Sequence, residues 1–227
     1  IMARHFHEDL RALTGRLTVM GALVESRVRD AMTALLQRNP DLAVTVATGD
    51  AAVNELELEV DDLCIKFLAL QNPVASDLRL VRSMIKVNTD LERVGDQAVN
   101  IAQGVIQLLA WPLLRPAFDV ARLGEIAVAM LNDSLKAFVE QDVALAQSVL
   151  GRDDEADALR DGLFRVLLTH MMSDPAVIER ALGLILVSRC LERVADHATN
   201  IAEEVIFVAE GRVVRHGGGT MNRPVAQ

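Results

Sequence analysis

Leu91-Glu92-Arg93-Val94-Gly95-Asp96-Gln97-Ala98-Val99-Asn100-Ile101-Ala102 recurs 100 positions later as Leu191-Glu192-Arg193-Val194-Ala195-Asp196-His197-Ala198-Thr199-Asn200-Ile201-Ala202. Nine of the twelve positions are identical, and in both copies Glu, Asp and Asn stand at i, i+4 and i+8. Side chains four apart lie one above the other on a helix, so each copy carries three oxygen donors in a row. Leu91, Val94, Ala98, Ile101 and Val105 recur at spacings of three and four and form a separate apolar stripe. Projected at about 100° per residue, the donor row falls well away from that stripe, on the wall of an outer groove rather than in a buried pocket. A long segment repeated with its periodicity intact means two copies of one structural unit.

Reading outward from the motif gives the content of each unit. A periodic segment from about Phe6 to Leu36 carries Leu10, Leu13, Leu17, Met20, Val24, Val28 and Met32 at helical spacing. Asn39-Pro40-Asp41 breaks it, and a short helical stretch from Leu42 to Thr48 ends at Gly49. Asp50 opens a second helix with the stripe Val53, Leu56, Val60, Leu63 and Phe67. After the Asn72-Pro73 turn, a third helix runs from about Val74 to Leu109. Trp111-Pro112-Leu113-Leu114-Arg115-Pro116 reads as a linker, and the pattern then repeats. Helices are expected over about Asp119–Val139 with a short piece to Leu150, over Asp153–Met172, and from the Ser173-Asp174-Pro175 turn to about Glu210. Short connections force neighbouring helices to be antiparallel. The expected fold is therefore all-α: two tandem antiparallel three-helix bundles related by pseudo-two-fold symmetry. The first covers residues 1–112 and the second 113–216, and the Gly-rich 217–227 reads as a disordered tail.

Composition narrows the function. Just over half of the 227 residues are apolar, enough for a sizeable core. The formal charge of −9 and the lack of a basic stripe argue against a nucleic-acid partner and suit a cation-binding surface. No apolar run is long enough to span a bilayer, and no signal-peptide pattern opens the chain. Cys64 and Cys190 lack metal-ligand spacing and read as reduced, buried thiols, in keeping with a cytosolic setting.

Counting residues away from each turn predicts which donors face one another, since both arms rise about 1.5 Å per residue. In the second unit Asp157 comes level with Glu192, and Asp153 with Asp196. In the first, Asn54 comes level with Glu92, and Asp50 with Asp96; Asn100 and Asn200 lie one turn further along. Four carboxylates in one groove repel and raise each other's pKa unless a cation offsets them. On spacing alone, a metal ion and neutralisation by Arg93 and Arg193 account for the rows equally well; the full set recurring in both halves favours metal. The oxygen donors Asp50, Asn54, Glu92, Asp96, Asn100, Asp153, Asp157, Glu192, Asp196 and Asn200 suit hard or borderline ions such as magnesium, manganese, iron or zinc. Asn54 in place of Asp157 leaves the first groove one negative charge short, so weaker binding is expected there.

Other chemistries drop out. No histidine has Glu three positions before it, which excludes a ferritin-type di-iron site. No P-loop, nucleophile elbow or dinucleotide fingerprint is present. His197 follows Asp196 directly, which turns it well around the helix from the row; it reads as a surface residue, as do His5, His7, His170 and His216.

The chain resembles the PhoU family of bacterial phosphate-signalling regulators. The likeness runs through His5-Phe6-His7, through Leu68-Ala69-Leu70-Gln71-Asn72-Pro73-Val74-Ala75-Ser76-Asp77-Leu78-Arg79, through both copies of the doubled motif, and through Glu210-Gly211-Arg212-Val213-Val214-Arg215-His216. The resemblance implies a cytoplasmic, non-enzymatic, dimeric negative regulator that acts between a phosphate ABC transporter ATPase and a sensor histidine kinase. It also implies clusters of iron or zinc on Glu92 and Asp96 and on Glu192 and Asp196, with Asp50, Asp153 and Asp157 as partner residues. Asn54 departs from a strictly acidic pattern. Two other readings compete: a metal-dependent phosphohydrolase using the groove, and a metal-free scaffold whose acidic rows meet a basic partner.

Overall fold

The computed structural model describes the backbone of residues 2–71, 73–112, 114 and 117–213, and the side chains of 8–71, 73–112, 114 and 119–213. The described chain is helical, in the order α1 (Met2–Gln37), α2 (Pro40–Thr48), α3 (Ala51–Gln71), α4 (Ala75–Leu108), α5 (Ala117–Glu140), α6 (Val143–Leu150), α7 (Asp153–Ser173) and α8 (Ile178–Glu210). A single 3₁₀ turn, Pro175–Val177, precedes α8. The expected all-α architecture holds, with helix ends within a few residues of those read from sequence. The expected tail at 217–227 lies outside the described residues.

Each unit is a three-arm bundle whose second arm is split into a short and a long helix. α2 and α3 both pack on α1 and α4; α6 and α7 both pack on α5 and α8. The residues that end the first arm of each unit are equivalent, 103 positions apart. Arg38 and Gln141 both take φ of 54°, and the next amide in each case reaches back to a carbonyl five residues earlier (Asn39 to Ala34 at 3.0 Å, Asp142 to Ala137 at 2.9 Å). This closes the first helix by a Schellman-type turn with a non-glycine residue in the left-handed position. Asn39 and Asp142 then cap the next helix through their side chains, accepting from the amides of Leu42 and Leu145.

The predicted stripes form the core. Leu13, Leu17, Met20, Val24 and Val28 of α1 are buried, as are Leu91, Val94, Ala98, Ile101 and Val105 of α4. Each Leu, Ile, Val and Met among them contributes about 1.5–3 kcal/mol by leaving water. Position 95 shows the packing logic. A Cβ on Gly95 would stand 3.0 Å from Val53 Cγ1 of α3, so this copy of the motif carries glycine. In the second unit the equivalent pair is Ala195 with Ala156, both buried, where a small partner leaves room for the methyl.

The units join through α4 and α8, which run antiparallel and form the most extensive helix–helix contact, and through α1 and α5. Around the α1–α5 crossing the pseudo-two-fold is explicit: Leu135 leans over Gly21, and the equivalent Met32 leans over Gly124. Along α4–α8 the symmetry breaks. At one end the buried Glu204 accepts from Arg82 Nη1 at 2.7 Å, Ser83 Oγ at 2.6 Å and Lys86 Nζ at 2.7 Å. At the equivalent positions of the other end stand Gly104 and Gly183, filled over by Val187 and Leu108. No helix among the described residues is long and apolar enough to cross a membrane.

Candidate functional site

Because the apolar stripes of α3, α4, α7 and α8 face the core, the donor rows are turned outward, as projection of the motif predicts. Glu92 and Glu192 are half-buried at the base of their grooves, while Asp96 and Asp196, one turn along, are exposed. The first groove lies between α3 and α4. Burial raises the Glu92 carboxyl above the usual carboxylate range; Asp96, Glu57 and Asp50 raise it further, and Arg93 opposes them. Asn54 donates to Asp50 Oδ2 at 3.0 Å, so it sits within the row. Asn100 is exposed.

The second groove lies between α7 and α8. Burial again raises Glu192, Asp196 and Asp157 add to it, and Arg160 and Arg189 lower it. Arg160 Nη2 reaches Glu192 Oε1 at 3.2 Å and Asp157 Oδ1 at 3.7 Å, and its Nη1 holds Asp161 at 2.8 Å. The facing register counted from the turn is therefore right: Asp157 and Glu192 grip one guanidinium. Beside them is an open cleft of about 720 Å³, walled by Asp153, Asp157, Asp196 and Asn200 together with Arg193, His197 and, from the first unit, Arg93 and Gln97.

Two expectations are corrected and one residue is added. Arg160, unnamed in the reading of the sequence, meets Glu192 and Asp157 because it lies three residues after Asp157 on the same face of α7, and Arg193 lines the adjoining cleft. Glu57, at the equivalent position of α3, faces Glu92, so the first groove is not short of charge. It holds four carboxylates, Asp50, Glu57, Glu92 and Asp96, whereas the second sets Arg160 among five, Asp153, Asp157, Asp161, Glu192 and Asp196. Both residues were visible in the sequence as the i+3 continuation of the Asn54 and Asp157 rows. Finally, His197 is not a surface residue. Its Nδ1 lies 2.8 Å from Asp90 Oδ1 across the α4–α8 seam, with the two side chains 13% and 14% exposed. Asn200 donates to the same oxygen at 3.2 Å, which ties its amide to the first unit. His170 is exposed as expected.

The donors fit a hard or borderline cation by chemistry. They are oxygens, and their mutual repulsion at Glu92 and Glu192 is what a positive ion relieves. Two buried amide oxygens near the grooves lack hydrogen-bond donors: Asn88 Oδ1, whose amide nitrogen binds the Glu57 carbonyl at 2.9 Å, and Gln97 Oε1 at the cleft. Among the described residues no three His, Cys, Asp or Glu side chains converge as they stand on a point that would hold an ion. Holding one requires the carboxylates to rotate together, which their exposure permits.

The PhoU domain model matches residues 17–105 and again 120–205, one match per unit. The phosphate-specific transport system accessory protein PhoU homolog of Pseudomonas putida is 40% identical over 218 residues, covering 96% of this chain and 85% of its own. The crystal structure of PhoU from Pseudomonas aeruginosa superposes with a TM-score of 0.88 at 40% identity, over 91% of this chain and 99% of that one. The phosphate transport system regulatory protein PhoU from Streptococcus pneumoniae gives 0.84 at 28% identity, over 95% and 100%. Doubled motif, doubled domain match and matching tertiary structure agree: this chain belongs to the PhoU family.

Proposed function

We propose that this protein is a non-enzymatic, metal-binding negative regulator of phosphate uptake and phosphate-starvation signalling. In this reading it is a cytoplasmic dimer that links a phosphate ABC transporter ATPase to a sensor histidine kinase. The observation that carries it is the duplicated set of facing carboxylates, Asp50, Glu92 and Asp96 in one groove and Asp153, Asp157, Glu192 and Asp196 in the other, on the wall of a two-unit bundle. The curated relatives named as accessory proteins of phosphate-specific transport support the transport setting. An ion of the iron, zinc, manganese or magnesium class would be held by these side chains with help from Asn54, Asn100 and Asn200. When bound, it would offset their charge and fix the grooves as a surface for partners.

Elemental analysis of protein purified without chelator tests the metal, and a pull-down with the transporter ATPase and the kinase cytoplasmic domain tests the adaptor. Bound metal lost on replacing Asp153, Asp157, Asp50 and Asp96 with Asn supports the reading. A metal-free protein whose partner binding collapses with added salt instead supports an acidic scaffold, a role that Arg160, already neutralising the second row, makes the natural second reading.

A further inference from the structure

Resting on that metal-binding reading, we infer that the two grooves are unequal cation sites: the first fills first, and the second is blocked at its Asp157–Glu192 pair by its own Arg160. The units align position by position, Asp50 with Asp153, Asn54 with Asp157, Glu57 with Arg160, Glu92 with Glu192 and Asp96 with Asp196. Two of these pairs differ in charge. Asp157 in place of Asn54 gives the second groove one extra negative charge. Arg160 in place of Glu57 takes two units away. Beyond these five, the second groove also has Asp161 for Leu58 and Arg189 for Thr89, which cancel, so the first groove stays more negative by one unit.

Position matters as much as the count. Arg160 does not stand at the rim: its two terminal nitrogens engage Glu192, Asp157 and Asp161, its Nε is buried without an acceptor, and its side chain is only 31% exposed. It occupies the space between Glu192 and Asp157, so an ion bridging that pair must displace it. A guanidinium does not lose its proton, so it leaves only by swinging out and giving up all three carboxylates. In the first groove the cation acting on Glu92 is Arg93, on the same helix and next in sequence, while Glu57 adds to the negative field. Asn54 is no obstacle, since its amide already folds back onto Asp50 and leaves its carbonyl oxygen for an ion. Arg160 is thus a built-in counter-ion, and the second groove is a low-affinity site that opens when Arg160 is drawn away.

Zinc(II) titration of the chelator-stripped full chain, in competition with a chromophoric chelator, tests this, with circular dichroism confirming that each variant is folded. The tightest zinc should disappear in Asp96→Asn and persist in Asp196→Asn. Glu57→Arg should weaken that tight phase by tenfold or more. Arg160→Glu should strengthen the weaker phase by tenfold or more and bring the two together. The inference is overturned if the tightest zinc is lost in Asp196→Asn instead, or if neither exchange at 57 and 160 moves either phase. A wild-type chain and an Arg160→Glu chain that both take up no zinc overturn the metal reading itself.

Discussion

Asp90 on α4 and His197 on α8 meet at 2.8 Å across the seam between the two units, and the pseudo-symmetric positions, Cys190 and Gln97, cannot make the same pair. The polar tie therefore occurs once, on one side of the axis, with Asn200 as its third member. The pair follows from α4 and α8 running antiparallel, which sets residue 90 of one beside residues 197 and 200 of the other.

Removing either partner strands the other in a setting where both are largely shielded from water. Asp90→Ala and His197→Ala should each cost about 1–3 kcal/mol. In a double-mutant cycle followed by urea unfolding, a coupling of about 1 kcal/mol is expected; simple additivity would mean that the contact does not join the units.

Glu204 is buried and relies on Arg82, Ser83 and Lys86. Replacing Arg82 and Lys86 together by Met leaves its charge facing one hydroxyl and should cost about 2–3 kcal/mol, below the full buried-pair value because both cations are half-exposed. Glu204→Gln, which keeps the size and a bond to Ser83, should cost less than half of that. An equal cost for the two would show that charge burial is not the controlling factor.

Gly95 and Val53 form a volume pair whose counterpart in the second unit is Ala195 and Ala156. Gly95→Ala gains about 1 kcal/mol of helix propensity but drives the new methyl against a stiff β-branched side chain. Val53→Ala alone leaves a cavity. The double variant should be more stable than the sum of the singles by about 1 kcal/mol in thermal unfolding, because it reproduces the packing already present in the other unit.

Glu92 is raised by burial and by three neighbouring carboxylates, so its ionised form works against the folded chain. In metal-stripped protein, Glu92→Gln should raise Tm, as a thermal melt would read. With zinc present the order should reverse, the wild-type chain gaining more than the variant, since the same charge that destabilises the empty groove attracts the ion. A variant stabilised equally with and without zinc would remove Glu92 from the ligand set.

Burial, with Asp61 adding, pushes the Cys64 thiol up to about 12. A raised folded pKa means that this group favours folding below its ordinary value of 9.0 and that the benefit is lost as pH rises from there through about 12. At pH 8 Cys64 stays a neutral thiol and should resist iodoacetamide until the protein is unfolded, as peptide mass mapping would show. Rapid alkylation in the native state would contradict the packing around α3.

How much of this was legible in the sequence follows from which interactions are local. The stripes Leu13–Leu17–Met20–Val24 and Leu91–Val94–Ala98–Ile101 gave the helices, the Asn72-Pro73 and Asp174-Pro175 turns gave the hairpins, and the 100-residue repetition gave the two units. All of these are set by spacing along one chain, as is the level of Asp157 with Glu192, which needs only a constant rise on two arms joined by a short turn. What spacing did not supply is what stands beside a row once neighbours arrive. That Arg160 blocks the Asp157–Glu192 pair of the second groove and Glu57 charges the first depends on which side of α7 and α3 turns toward α8 and α4. That His197 finds Asp90, and Glu204 finds Arg82, Ser83 and Lys86, depends on how the two units dock. The sequence by itself determined the helices, their pairing into two bundles and the existence of two acidic rows, because periodicity and turn chemistry act locally. Only the tertiary structure decided which row is already neutralised and where the symmetry breaks, because charge acts through space between residues that the chain order keeps far apart.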